Sequence, residues 1–131
     1  MMSLVNSFDV SASALTAERY RMDVISTNIA NANTMRANGH EPYRRKDVVL
    51  APDENGGVMI EDTVDDQTEF RVANEPGNPL ADENGNVFYS NVDPITEMVD
   101  MMSASRAYES NIAAFNATKM MLQSALDIGR V

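Results

Sequence analysis

Apolar residues recur every seven positions at both ends of the chain, and this order is missing from the middle. Phe8, Leu15, Met22 and Ile29 form one row, and Leu4, Ser11, Glu18 and Ile25 lie between them to complete a 3-4 spacing. That spacing is the seam of a helix packed lengthwise on another helix. The pattern predicts an N-terminal arm from about Ser3 to Thr34, closing on Asn28, Asn31 and Asn33. Asparagine is poor inside helices but suits their ends and turns. A C-terminal arm is predicted from Asn91-Val92-Asp93-Pro94 onward. Asp93 can accept from the first free N–H groups, Pro94 suits the first helical position, and Glu97 falls where the helix dipole favours a negative charge. Met101, Tyr108, Phe115 and Leu122 make its seven-residue row, with Met98, Ser105, Ile112, Lys119 and Leu126 as the expected partner row and Gly129 as the stop. Antiparallel pairing of the two arms would set Phe8, Leu15, Met22 and Ile29 opposite Leu122, Phe115, Tyr108 and Met101. From Asp93 to Ile128 such a helix is roughly 54 Å long, more than a domain of this size readily encloses. Two architectures fit the pattern: a helical hairpin inside an ordinary domain, or an elongated pair of arms whose remaining surface is covered in an assembly.

The middle reads differently. All five prolines fall between His40 and Ile95, and such breakers leave room only for short elements. Tyr43–Leu50, Gly57–Ile60, Glu69–Val72 and Val87–Tyr89 are predicted strands, the last following the turn Asn84-Gly85-Asn86. Their shared core, led by Val48, Ile60, Phe70, Val87 and Phe88, is too thin to be very stable alone.

Charge sharpens the division. The 131 residues carry a formal charge of −10, and residues 51–90 hold ten acidic groups against one basic. A chain this acidic is not expected to bind nucleic acid or an anionic membrane surface, since both need positive charge. There is no cysteine, which excludes disulfides and thiolate metal sites. No apolar run approaches the roughly 20 residues of a membrane span. The N-terminus lacks a cationic start followed by an apolar stretch, so no ordinary secretory signal is expected.

Candidate chemistry is sparse. His40, the single histidine, lies in the turn-like stretch Asn38-Gly39-His40-Glu41-Pro42 and has no evident partner for base catalysis. The acidic run from Glu61 to Asp66 reads as a solvated face. Asp82-Glu83-Asn84-Gly85-Asn86 has oxygen ligands at alternate positions, but its glycine and its terminal acid do not fit a calcium loop, so a hairpin turn is preferred. The basic cluster Tyr43-Arg44-Arg45-Lys46 suits a strand or a salt-bridge patch to an acidic neighbour. Five of the ten methionines lie between Met98 and Met121, at spacings that fill a core or an adaptable interface. No phosphate loop, dinucleotide fingerprint or nucleophile elbow is present. Neither catalytic, metal nor cofactor-binding residues are assigned.

Two segments carry a resemblance. Residues 13–34, closing on Asn28-Ile29-Ala30-Asn31-Ala32-Asn33-Thr34, resemble the N-terminal signature of bacterial flagellar rod and hook proteins. Ser90-Asn91-Val92-Asp93-Pro94, then Glu97 through Ser105-Arg106-Ala107-Tyr108-Glu109-Ser110-Asn111, resemble the C-terminal signature of the same family. The short length, Tyr43–Lys46 and Pro76–Asp82 are similar to the proximal-rod branch. The resemblance implies Asn28, Asn31, Asn33, Thr34, Asn91, Asp93, Pro94, Ser105, Arg106, Tyr108 and Asn111 as motif residues. It implies a non-enzymatic rod subunit without a cofactor, exported from the cytoplasm without a cleaved signal peptide and polymerising in the periplasm into a hollow torque-transmitting shaft. Its partners would be copies of itself, other rod subunits, and the export gate or base of the basal body, with no nucleic acid and no membrane insertion. The expected fold is then α+β: arms at 3–35 and 91–129 paired as an antiparallel coiled coil, and a small β-rich domain at 36–90. The expected assembly seam comprises Phe8, Leu15, Met22, Ile25, Ile29, Met98, Met101, Tyr108, Ile112, Phe115, Leu122 and Leu126. Two other function classes compete with this reading. A soluble helical-hairpin adaptor or export chaperone with an acidic face is the first. A small hydrolase or metal enzyme using the acidic clusters is the second, and the sequence offers it no histidine placed to assist.

Overall fold

The computed structural model describes residues 2–130. In chain order the elements are α1 (Met2–Ala30), β1 (Lys46–Pro52), β2 (Val58–Asp65), β3 (Arg71–Asn74), β4 (Asn86–Tyr89) and α2 (Pro94–Ile128). The class is α+β, with a long helix at each end and small antiparallel sheets between. At 1.5 Å per residue α2 extends about 52 Å. Its start is built as the sequence predicts: Asp93 accepts from the Ile95 N–H and from the Thr96 hydroxyl, and Pro94 opens the first turn.

The helices pack antiparallel along their length. The Phe8 and Phe115 rings meet at 4.1 Å between centroids, and at the other end the Asn28 amide reaches the Glu97 carboxylate. Phe8 therefore faces Phe115 rather than Leu122, one heptad from the expected alignment. A row that repeats every seven residues looks the same after a seven-residue slide, so periodicity alone cannot choose.

A second correction concerns the partner row of α2. Met98, Ile112 and Leu126 are exposed, at 55%, 36% and 49%, and Lys119 is exposed too. The row turned toward α1 is instead Glu97, Ala104, Asn111, Thr118 and Ala125, all buried or half-buried. Small or polar residues let two helices approach, while the large side chains of Met101, Tyr108, Phe115 and Leu122 fill the gap beside them. An apolarity pattern counts the larger side chains and so selects the wrong neighbour by one position.

Helix α1 also carries the β1–β2 hairpin on its other flank. Strands β1 and β2 pair from Lys46↔Asp65 to Pro52↔Val58, with a bulge that leaves Glu61 without a partner between Asp62 and Ile60. Strand β2 thus runs through most of the acidic stretch expected as a plain surface run; within it Thr63 is half-buried, whereas Glu61, Asp62, Val64 and Asp65 are exposed. The Ser13 hydroxyl accepts from Val58 N–H, and the Tyr20 and Thr63 hydroxyls bond at 2.6 Å. Strands β3 and β4 form a separate two-stranded sheet around the fully buried Val87. It is tied to the end of α1 by Arg36 N–H to Phe88 O and Ser90 N–H to Thr34 O.

Candidate assembly surfaces and a buried polar node

Where α1 ends and α2 begins, the chain places polar side chains where a core would normally be apolar. Asn28 and Glu97 have 1% and 0% exposure. The Asn28 amide nitrogen donates to Lys46 O (2.9 Å) and to Glu97 Oε2 (3.2 Å), and its oxygen accepts from the Tyr43 hydroxyl (2.7 Å) and Lys46 N–H (3.0 Å). Those four bonds saturate the side chain, which is what makes its burial affordable. Glu97 also accepts from Arg45 Nε. Arg45 reaches further to Asp66 (3.3 Å), Asp100 (3.7 Å) and Asp47 (3.8 Å). Asn91 closes the cluster, accepting from Arg45 N–H and donating to the carbonyls of Asp66 and Thr68.

The electrostatics follow the contacts. Burial opposes the Arg45 charge, but the hydrogen bond and charge of Glu97, with Asp47 and Asp66 behind them, outweigh it and raise the guanidinium pKa. Bonding to Thr68 N–H, then to the Thr68 hydroxyl and Arg45, holds the Asp66 carboxyl below its usual value despite partial burial. Burial raises the Tyr43 phenol, and the nearby Lys46 only partly offsets it. The basic cluster is accordingly a salt-bridge patch: Lys46 pairs with Asp65, and Arg44 with Glu41 at 3.9 Å. Asp66 departs from the solvated face expected of it. Glu97 was expected only as a helix-dipole residue, although its place one turn before Met101 on the inner row was the available signal.

The other motif residues divide between local caps and surface. Asn31 donates to Thr27 O, and the Thr34 hydroxyl donates to Asn31 O while accepting from Tyr43 N–H. Asn33 and Arg106 are exposed, and Ser105, Tyr108 and Asn111 are half-buried along α2. Of the expected seam residues, Ile25 is buried, while Phe8, Leu15, Met22, Ile29, Met101, Tyr108, Phe115 and Leu122 are half-buried. His40 sits exposed in the Asn38-Gly39 turn, both of whose central residues have positive φ. Asp82 is engaged in closing its own turn, accepting from the N–H groups of Asn84 and Asn86.

The outward faces of the two helices differ in kind. That of α1 is polar apart from Val5, with Asn6, Asp9, Thr16, Arg19, Asp23 and Thr27 exposed. That of α2 is apolar: Ile95, Met98, Val99, Met102, Met120, Met121 and Ile128 are each more than half exposed. Near the free end of the pair, Leu4 with Ala117, Met120, Met121, Ser124, Ala125 and Ile128 lines an open apolar recess. These are two exposed apolar patches, at Ile95–Met102 and Met120–Ile128, with the exposed Arg106, Glu109, Asn116 and Lys119 between them, and each is of the kind that marks an interaction face. The three arginines nearest the β3–β4 sheet are spent differently, stacking on rings: Arg36 on Phe88, Arg44 on Phe70 and Arg71 on Tyr89.

Comparison with known proteins matches both ends. Residues 8–37 fit the family described as flagella basal body rod protein, and residues 83–128 the flagellar basal body rod FlgEFG protein C-terminal family. Over its length the chain is similar to the flagellar basal-body rod protein FlgC of Escherichia coli O6:H1, with 42% identity across 98% of this chain and 100% of that protein. It is equally similar to FlgC of Salmonella typhimurium, at 42% over the same shares. For FlgC of Bacillus subtilis the figure is 43%, again covering 98% and 100%.

Proposed function

The chain belongs to the FlgC family of flagellar basal-body rod proteins, and from that premise we propose how it builds the rod. It is a structural subunit of the basal-body rod, and its relatives are structural proteins rather than enzymes. Its helix pair works as an antiparallel coiled coil, and the subunit polymerises through the outward face of α2. The β-rich middle, held on the opposite flank of α1, lies away from that contact and toward the outside of a hollow shaft. Export from the cytoplasm without a cleaved signal, assembly in the periplasm beside other rod subunits, and seating on the export gate or base complete the reading.

The observation that carries it is the asymmetry of the helix pair. Ile95, Met98, Val99 and Met102 form an unbroken exposed stripe on α2, while α1 shows water a polar face. Burying an apolar side chain contributes about 1.5–3 kcal/mol, so the stripe has a large gain available on association and none in the single chain. The test is a strain carrying only Val99→Glu/Met102→Glu. The purified variant should keep wild-type helicity, since both side chains point to solvent, yet be absent from isolated basal bodies. A control at Thr16→Glu on the polar face of α1 should enter normally. Wild-type recovery of the double variant in basal bodies would exclude this face as the assembly contact.

A further inference from the structure

The alignment of the helix pair needs a cause that its apolar rows do not supply. Phe8, Leu15, Met22 and Ile29 repeat every seven residues, as do Met101, Tyr108, Phe115 and Leu122. Sliding one helix by a heptad, about 10 Å, again sets apolar against apolar: Leu15 on Phe115, Met22 on Tyr108, Ile29 on Met101. The inner residues Ala104, Thr118 and Ala125 are small and object weakly to such a slide. The polar node does not repeat. Asn28 has its four bonds only with Glu97, Tyr43 and Lys46 around it, and the fully buried Glu97 has Arg45 and Asn28. After a one-heptad slide Asn28 would face Ala104, and Glu97 would leave both partners.

We propose that the Asn28–Glu97–Arg45 cluster is the register lock of the helix pair. A carboxylate separated from its partners in a buried place is strongly disfavoured. A buried polar group in a helical seam is known to specify alignment even where it adds no net stability. The lock also joins that alignment to the hairpin, because Asn28 holds both the N–H and the carbonyl of Lys46, the first residue of β1. The inference concerns the single chain and stands apart from how copies polymerise.

The full chain has no cysteine, so introduced pairs report without background. Counting in heptads from the Phe8–Phe115 contact, Met22→Cys with Met101→Cys reports the observed register, and Ile29→Cys with Met101→Cys reports the slipped one. In the otherwise unaltered chain only the first pair should oxidise to a disulfide. In Arg45→Met/Glu97→Met, which removes both charges and strands neither, helicity by circular dichroism should persist and the slipped link should form at a tenth or more of the yield of the first. Formation of the first link alone, at unaltered yield, would show that packing sets the register and overturn the proposal. If the double variant is not helical, Glu97→Ala carries the same measurement with the same two readings, because Arg45 keeps Asp66 and Asp100 as partners.

Discussion

A β-carbon added to Gly57 would lie 2.5 Å from the hydroxyl oxygen of Ser13. That hydroxyl donates to Val10 O and accepts from Val58 N–H, so the same atom that excludes a side chain at Gly57 holds the start of β2 on α1. Gly57→Ala should therefore loosen the hairpin at this point, by about 1–2 kcal/mol for the displaced hydrogen bond and strain. Gly77→Ala, where a new β-carbon meets nothing within 4 Å, should be nearly silent. Urea unfolding of the two variants, with hydrogen exchange at Val58 and Met59, tests the contrast. Equal midpoints would mean that the Ser13 contact does not hold the hairpin.

Asp65 and Asp66 are neighbours with different duties. Asp65 pairs with Lys46 at an exposed site, whereas Asp66 is half-buried against Arg45 and Thr68. Asp65→Asn should cost about 0–1 kcal/mol, as exposed pairs do. Asp66→Asn should cost about 1–2 kcal/mol, since a half-buried charge-assisted bond is only partly screened by solvent. The Asp66 carboxyl titrates below its unfolded value. Its contribution is thus full above about pH 4 and disappears as pH falls through the lower folded value. The variant's deficit should shrink over that acid range; a deficit unchanged at pH 2.5 would assign it to packing instead.

Tyr43 gives the opposite sign. Its phenol is raised by burial and donates to Asn28, so the folded chain keeps the proton longer than the unfolded one. The contribution is present below about pH 10 and is lost as pH rises through the folded value. Tyr43→Phe should lose about 1 kcal/mol at pH 8 and show a shallower alkaline decline than the unaltered chain, followed by circular dichroism in urea.

How much of this was legible depends on the type of residue. Periodicity located both helices, and turn chemistry with β-branched runs located β1 and β4 and the first part of each of β2 and β3, because each is a local property; the acidic second half of β2 reads as surface until its partner strand is known. Asp93 and Pro94 read correctly as a helix start for the same reason. The pairing of Phe8 with Phe115 did not, since a seven-residue repeat is blind to a seven-residue slide. The node was hidden because Glu97 on an acidic chain looks like any solvated carboxylate until Arg45 arrives from the middle of the chain. The seam at Ala104 and Thr118 was missed because small side chains carry little apolar signal, although they are what allows two helices to approach. Apolarity alone places Met98 and Leu126 inside on the same ground, whereas the structure exposes both.

The most direct test of the helix pair in the cell is a charge at its open end. Phe115 stacks on Phe8 with ring planes inclined at 40°. Among the described residues, no side chain before Ala17 or after Ala104 is fully buried. That half of the pair therefore has little besides this contact and the leucines beside it to stay closed. Phe115→Asp replaces the ring with a carboxylate facing Phe8, and an unpaired charge in an apolar contact costs several kcal/mol when fully buried and less at this half-buried site. The node and the β3–β4 sheet lie toward the other end, and the hairpin is held by Ser13, Tyr20 and Asn28 on α1 rather than by Phe8 or Phe115, so all three should keep their structure, seen as an unchanged exchange pattern at Val48, Ile60 and Val87. The expected result is a soluble chain whose helix ends exchange freely and which fails to join the rod, leaving cells non-motile and basal bodies unrecovered. Phe115→Leu, which keeps the apolar contact without the ring, should restore motility. Full motility with Phe115→Asp would show that this contact is dispensable and that the rod closes the helix pair by other means.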